Sequence, residues 1–456
     1  MKLKNKKIIV FGAGKSGIAA VKYLVKDNDV LLVDDKTKQD LSGAINGVEN
    51  LSVEKFLGKY DLSLLDGVNL IVVSPGIPLT HKLVLGANRR KIPIISELEL
   101  GYQLLQDKYI IAITGTNGKT TTTALTSFLL NKGGLDSIAV GNIGAPITGL
   151  LGNCKIPGYL VVEVSSFQLE TIDEFKPRIS AILNITPDHF DRHIDIQGYA
   201  GAKAKIFKNM CADDFLIING DDKVCQEIAQ RARVNVLEFS SRREVAEGTF
   251  VRDNQIIVRI NGIENQICST DEIFIKGRHN LENALTAVLI NHLLGVKKER
   301  ISEGLREFGG VEHRLEFVEE FKGVKFYNDS KATNIEALEK SLESFSNSII
   351  LIAGGRDVGG DFTRLKQLVK ERVNKVILIG EAADKIFNSW QDVVPMEHSY
   401  NMRDAVEKAY KSVKGNNVVL LSPGCKSFDM FANFEDRGKI FKNEVRKLVG
   451  ELKDKK

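Results

Sequence analysis

The chain is 456 residues long, too long for one hydrophobic core, and its length predicts about three domains. With 27% charged and 43% hydrophobic residues it has the composition of an ordinary soluble globular protein, and a net charge of +4 from dispersed lysines and arginines argues against a nucleic-acid partner. Five cysteines, at 154, 211, 225, 268 and 425, form no C-x-x-C pair, which favours a reducing cytoplasm over a disulfide framework or a structural zinc site.

In chain order, residues 7–11 read as a buried strand and Gly12-Ala-Gly-Lys-Ser-Gly17 matches G-x-G-x-x-G. A helix to about residue 26 and a second strand at 30–33 follow, ending in Asp34-Asp35, where an acid would hold a ribose hydroxyl. The apolar run at 8–11 is too short for a signal peptide. The glycine pattern fits a nicotinamide-dependent oxidoreductase, and equally a unit that holds another nucleotide or a sugar diphosphate. Lys36 suits a phosphate or a uracil carbonyl. Residues 69–77 form a further buried strand ending in Ser74-Pro-Gly76, either a ligand-binding strand end or a simple tight turn. Residues 93–97 lead towards the next unit, and the first boundary falls near residue 97.

Residues 109–114 are a β-branched strand that runs into Gly115-Thr-Asn-Gly-Lys-Thr120 and then a helical stretch at 124–131. Strand, glycine loop and helix make a phosphate cradle, in which Lys119 reaches the β/γ-phosphates and the Thr120 hydroxyl binds Mg²⁺. The loop departs from G-x-x-x-x-G-K-[ST] in having Ile113 at the first glycine position. Downstream lie the turn Val140-Gly-Asn-Ile-Gly144, a strand interrupted by Glu163, and a strand ending in Asp188-His189. A carboxylate inside an apolar strand is costly unless it is paired or on a metal. His189 and His193 would suit zinc on a helix, but Pro187 argues against a helix there. On a helix at 199–206, Lys203 reads as a surface residue. A strand at 215–219 and a β-rich stretch to about 275 follow. A helix then opens at Gly277, where Asn280 and Asn283 share a face and either cap the helix or grip a base edge. The second boundary falls near Gly309-Gly310. Beyond it, strands at 348–353, 375–379 and 417–421 with intervening helices make a third α/β unit. No stretch approaches the ~18 consecutive apolar residues of a membrane span.

Seven ordered clusters together resemble the Mur ligase family of ATP-dependent amide-bond-forming enzymes of peptidoglycan precursor synthesis: Gly115-Thr-Asn-Gly-Lys-Thr120, Glu163-Val-Ser-Ser166, Asp188-His189, His279-Asn280 with Asn283, His313-Arg314, Asp329-Ser-Lys-Ala-Thr-Asn334 and the segment 421–438. Residues 163–170 and 421–438 are similar to the branch that adds D-glutamate to UDP-N-acetylmuramoyl-L-alanine.

The resemblance implies an α/β protein of three domains, expected as a cytoplasmic monomer: a Rossmann-like domain for the UDP substrate (1–97), a central P-loop ATPase-like parallel sheet with an added β-rich part (98–310), and a Rossmann-like amino-acid domain (311–456). It implies ATP contacts at Gly115, Thr116, Asn117, Gly118, Lys119, Thr120, Thr121, Asn280, Asn283, Arg314 and Asp329. Contacts to the UDP-muramoyl substrate fall at Lys15, Ser16, Asp34, Asp35, Lys36, Gly76, Asn142, Gln168 and His189. D-Glutamate falls to Lys331, Thr333, Ser427, Phe428 and Phe434. Two Mg²⁺ ions are implied, one on Thr120 and one on Glu163, His189 and a carbamoylated Lys203, with Lys119, Glu163, His189, Lys203 and Arg314 as the catalytic set. One position departs from the family: Val358 stands where relatives carry a basic residue after Asp357, with Arg356 the candidate replacement. The alternatives are another Mur-type or folylpolyglutamate-type amide ligase and, from a different class, the oxidoreductase.

Overall fold

In the computed structural model of the chain, residues 3–188, 192–345, 348–357, 359–415 and 418–454 are described. The first sheet holds β1 (Lys7–Phe11), β2 (Asp29–Asp34), β3 (Glu54–Leu57), β4 (Leu70–Val73) and β5 (Ile94–Ser96), all parallel, in the order β3-β2-β1-β4-β5. Its central strands are continuous β-branched and leucine runs because both faces are buried, one against α1 (Lys15–Leu24) and the other against the helix Lys82–Arg89. The chain order reverses at β1, so the loops after β1, β2 and β4 meet at one edge, the crevice where such sheets take ligands.

The second sheet has nine strands: β6 (Tyr109–Thr114), β7 (Ser137–Gly141), β8 (Tyr159–Glu163), β9 (Ile179–Ile182), β10 (Phe215–Asn219), β11 (Asn235–Ser240), β12 (Gly248–Arg252), β13 (Gln255–Ile260) and β14 (Ile263–Ser269), in the order β14-β13-β12-β11-β10-β9-β6-β8-β7. It is parallel from β7 to β12 and antiparallel through the last two strands, so the added β-rich part continues the same sheet. β6 lies between β8 and β9, in register Ile113↔Glu163 and Thr114↔Ile182. That register brings the strand ends carrying Glu163 and Leu183–Asp188 to either side of the glycine loop.

Several helices went unread in the sequence, and one of them lies at the first predicted boundary. α2 (Glu97–Leu104) follows β5 directly, with the Ser96 hydroxyl accepting the Glu99 amide at 3.2 Å. Ser96-x-x-Glu99 is a helix-start signal hidden beside an apolar strand. The other helices that matter below are α3 (Lys119–Lys132), α4 (Ser166–Glu170), α5 (Ile196–Ala204), α6 (Arg278–Leu293) and α7 (Phe434–Asp454). α3 begins five residues earlier than the sequence pattern indicated, because the four threonines continue the helix from Lys119.

The third sheet holds β15 (Glu316–Phe321), β16 (Val324–Asn328), β17 (Ile349–Gly354), β18 (Val373–Ile379), β19 (Met396–His398) and β20 (Val418–Leu421), in the order β15-β16-β20-β17-β18-β19. Only the β15–β16 hairpin is antiparallel. The chain divides into two compact units, Met1–Ile273 with Leu281–Arg306 and Phe274–Asn280 with Glu307–Lys456. The first unit holds the first two sheets. Among the described residues no helix is long and apolar enough to cross a membrane.

Candidate active site

The glycine loop after β6 turns through positive φ at Gly115 (+154°) and Gly118 (+83°). A Cβ on Gly118 would sit 2.3 Å from Asn283 Oδ1, so the close approach of α6 requires glycine there. Asn283 Oδ1 in turn accepts the Thr122 hydroxyl at 3.0 Å. The amides of Thr116 and Asn117 do not point into a phosphate cradle. They donate to Asn184 O at 2.9 Å and Asn184 Oδ1 at 2.8 Å, and Asn184 Nδ2 donates back to Asn117 O at 3.2 Å. The first intrahelical bond runs from Thr122 N–H to Gly118 O, so the amides of Lys119, Thr120 and Thr121 form the positive first turn of α3.

Two lysines fold over this loop. Lys119 Nζ donates to Gly115 O at 2.8 Å and Thr116 O at 2.7 Å, and Lys203 Nζ, from α5, donates to the same Gly115 O at 2.9 Å. Lys203 is 1% exposed, with its ammonium 4.4 Å from the Tyr199 ring centre. Read from its helix alone it belonged on the surface, and the structure corrects that: a core of Tyr199, Ala200 and Ala202 draws that face of α5 inward. Burial, and then the charge of Lys119, hold the Lys203 amine well below the ordinary lysine range.

Glu163, the last residue of β8, is 2% exposed. Its Oε1 accepts Asn142 Nδ2 at 2.9 Å, while its Oε2 is buried without a hydrogen-bond partner. A buried carboxylate oxygen left unpaired is the fit expected of a cation ligand. His189 lies outside the described residues. His193, its neighbour in the zinc reading, faces Ser166 Oγ at 3.1 Å and stacks on Phe167. Gln168, expected at the UDP-muramoyl substrate, lies in the first turn of α4. Its side-chain oxygen accepts the Ser165 amide at 2.9 Å and closes the capping box that starts α4.

At the edge of the first sheet, Lys15 and Ser16 open α1, Asp34 ends β2 with Asp35 and Lys36 after it, and Gly76 lies in the turn after β4. Asp34 is committed internally: Oδ2 accepts the Ala13 amide at 2.7 Å and Oδ1 the Lys36 amide at 2.8 Å, so it braces the glycine loop. Asp35 accepts the Tyr60 hydroxyl and lies 3.3 Å from His81 Nε2. Ser74 Oγ donates to Gly12 O at 2.9 Å, tying the β4 turn to the β1 loop.

In the C-terminal unit, Asp329 is buried. It accepts the Ser341 hydroxyl, the Ser422 hydroxyl at 3.1 Å and the Leu315 amide at 3.2 Å, and burial raises its carboxyl to about 6. Arg314 keeps a buried Nε with no hydrogen-bond partner. Asn280 Nδ2, in the first turn of α6, donates to Lys276 O at 2.8 Å. Lys331 Nζ lies 5.4 Å from the Phe434 ring centre, Ser427 is buried and Phe428 is exposed.

Three family models cover these regions in order: the Mur ligase MurD-like N-terminal domain over residues 6–96, the Mur ligase middle domain over 113–291, and the Mur ligase glutamate ligase domain over 313–425. The chain is 42% identical to the UDP-N-acetylmuramoylalanine--D-glutamate ligase of Thermoanaerobacter sp. (strain X514), over 98% of this chain and 100% of that one. It is 43% identical to the enzyme of that name from Koribacter versatilis, over 99% and 100%. This chain is a Mur ligase. Its fold is also that of UDP-N-acetylmuramate-alanine ligase MurC from Thermotoga maritima (TM-score 0.58, 17% identity, 99% of this chain and 100% of that one) and of MurF ligase from the same organism in complex with ADP (TM-score 0.58, 16% identity, 98% and 100%).

Within this Mur ligase, two residues that shape the loops carried no motif of their own. Asn184 braces the phosphate loop, and its only signal was a polar residue at a strand end. Arg437 is 1% exposed in the segment 421–438, and an arginine before a glycine in a terminal helix does not announce burial.

Proposed function

We propose that the chain is an ATP-dependent ligase that joins D-glutamate to UDP-N-acetylmuramoyl-L-alanine, releasing ADP and phosphate. The observation that carries the reading is the group around Gly115: two buried or half-buried lysines and a carboxylate oxygen without a partner, beside the first turn of a helix that follows a glycine loop. The full-length relatives named for D-glutamate addition support the substrates.

The alanyl carboxylate attacks the γ-phosphorus of ATP, forming a carboxyl–phosphate bond as the bond to the ADP oxygen breaks. The D-glutamate amine then attacks the acyl carbon, and the tetrahedral intermediate expels phosphate as the amine loses its proton. Both steps concentrate negative charge on oxygen, so fixed cations and N–H dipoles dominate the rate. Lys119 and the first-turn amides of α3 hold the phosphoryl group. Thr120, and Glu163 with His189 and Lys203, are the residues that would hold magnesium, and a bound Mg²⁺ supplies charge neutralisation and alignment of the phosphoryl oxygens. An uncharged Lys203 amine is a nucleophile towards CO₂. Formation of the N–C bond with loss of a proton to solvent turns it into a carbamate anion, which removes its repulsion from Lys119 and adds an oxygen ligand. Lys15, Ser16, Asp35, Lys36, Gly76 and Asn142 are assigned to the UDP-muramoyl substrate, and Lys331, Thr333, Ser427, Phe428 and Phe434 to D-glutamate.

The chemistry is tested by labelling the alanyl carboxylate with ¹⁸O. Acyl-phosphate transfer delivers one labelled oxygen to the released phosphate, whereas phosphate without label would overturn this mechanism.

A further inference from the structure

Arg437 opens the buried face of α7, and none of its hydrogen-bond partners is a carboxylate. Its Nε donates to Ser330 Oγ at 2.9 Å, and Nη2 donates to Ser330 O at 2.8 Å and Cys425 O at 3.1 Å. Nη1 reaches Lys426 O at 3.4 Å. Ser330 follows β16, and Cys425 and Lys426 follow β20. A third strand end is tied to the same place: Gly355, after β17, turns at φ +136°, and a Cβ there would sit 3.0 Å from Nη1 and 2.3 Å from Lys426 O. The Arg356 amide also donates to Lys426 O at 2.8 Å. β16, β20 and β17 are adjacent in the sheet, so one guanidinium spans the carboxyl ends of three neighbouring strands.

Two features mark this as more than packing. Ser330 is held from both sides, since its hydroxyl also donates to Phe434 O at 2.8 Å, and the residue is fully buried between Asp329 and Lys331. The three spanned loops carry Lys331 and Thr333, Ser427 and Phe428, and the segment Gly354–Asp357. A guanidinium suits this task because its planar fork offers five fixed donors, which a lysine cannot reproduce. Burial lowers the group to about 10, so it stays charged at neutral pH beneath loops that lack a basic residue at position 358.

We propose that Arg437 is a positioning residue for the amino-acid substrate, setting the spacing of the three loops that bind the D-glutamate carboxylates. This rests on the function proposed above. The test measures KM for D-glutamate, ATP and UDP-N-acetylmuramoyl-L-alanine by phosphate release in the full-length wild type, Arg437→Lys and Ser330→Ala, with Tm recorded for each. Arg437→Lys is expected to raise the D-glutamate KM about 10- to 100-fold, the scale of losing hydrogen bonds from a charged group, and to leave the other two within about twofold. Ser330→Ala keeps the arginine but removes one acceptor, and is expected to move the same constant by about 3- to 10-fold. An unchanged D-glutamate KM, or a parallel rise of all three constants, would overturn the proposal. If Arg437→Lys does not fold, Ser330→Ala decides by the same criterion. A wild type that releases no phosphate in response to D-glutamate overturns the parent reading instead.

Discussion

Two glycine loops follow two central parallel strands, and opposite charges hold them. The loop after β1 is closed by the Asp34 carboxylate, which accepts the Ala13 amide. The loop after β6 is closed by two lysines that donate to Gly115 O. In the first loop the Ala13 amide is already taken by a carboxylate, so an anion there is left to Lys15 and Ser16, whereas the second loop carries the Lys119 ammonium itself. Glycine spacing reports the backbone path, and the sign of the side chain that locks the loop reports what it can bind.

The sharpest way to break this comparison is Lys119→Ala. It is expected to lower kcat by about 10²–10³, the scale for one charge-stabilising group, without a large fall in Tm, because Lys119 is only half-buried. Steady-state kinetics beside thermal unfolding checks both halves, and a large fall in Tm would make Lys119 a structural strut. Lys203→Ala is expected to lose activity on a similar scale. Wild-type enzyme dialysed free of CO₂ is expected to lose activity that bicarbonate restores, whereas indifference to bicarbonate would rule the carbamate out.

Asp34→Asn tests the other loop. One of the two amides loses its acceptor, so stability is expected to fall by about 1–3 kcal/mol while KM for ATP stays constant. An ATP effect equal to that of Lys119→Ala would erase the distinction between the loops. The smallest effect concerns Glu97, whose Oε1 accepts the Thr148 amide at 2.7 Å and hydroxyl at 2.6 Å while Oε2 is buried without a partner. Burial raises its carboxyl from 4.5 to about 7. The folded state then holds the proton more tightly than the unfolded chain, so this contribution to stability is complete below pH 4.5 and is lost as pH rises to about 7. Glu97→Gln is expected to flatten that part of the pH–stability curve, and an unchanged slope in urea titrations at several pH values would assign it to other groups.

The sequence made the order of strands and the two glycine loops legible, because buried parallel strands are unbroken apolar runs and glycine is required where φ is positive. Glu163 was legible for the same reason, as a charge inside such a run. Lys203 was not, since a helix built largely of alanine and glycine does not say which face is buried. Asp34, Gln168 and Asp329 were read as reaching for ligands. The structure adds that backbone amides and hydroxyls occupy oxygens of each, and local bonds of that kind depend on neighbours brought together only by folding. Asn184 and Arg437 escaped because, apart from the Ser330 hydroxyl that Arg437 also meets, their partners are main-chain carbonyls and amides, which leave no trace in residue identity.

D-Glutamate ligase activity is tested most directly by phosphate release from ATP with UDP-N-acetylmuramoyl-L-alanine, comparing D-glutamate with L-glutamate, L-alanine and a diamino acid. Release that depends on D-glutamate alone is the predicted result. Equal release with L-glutamate or with the diamino acid would keep the ligase chemistry and contradict the amino-acid assignment, and no release with any of them would contradict the account as a whole.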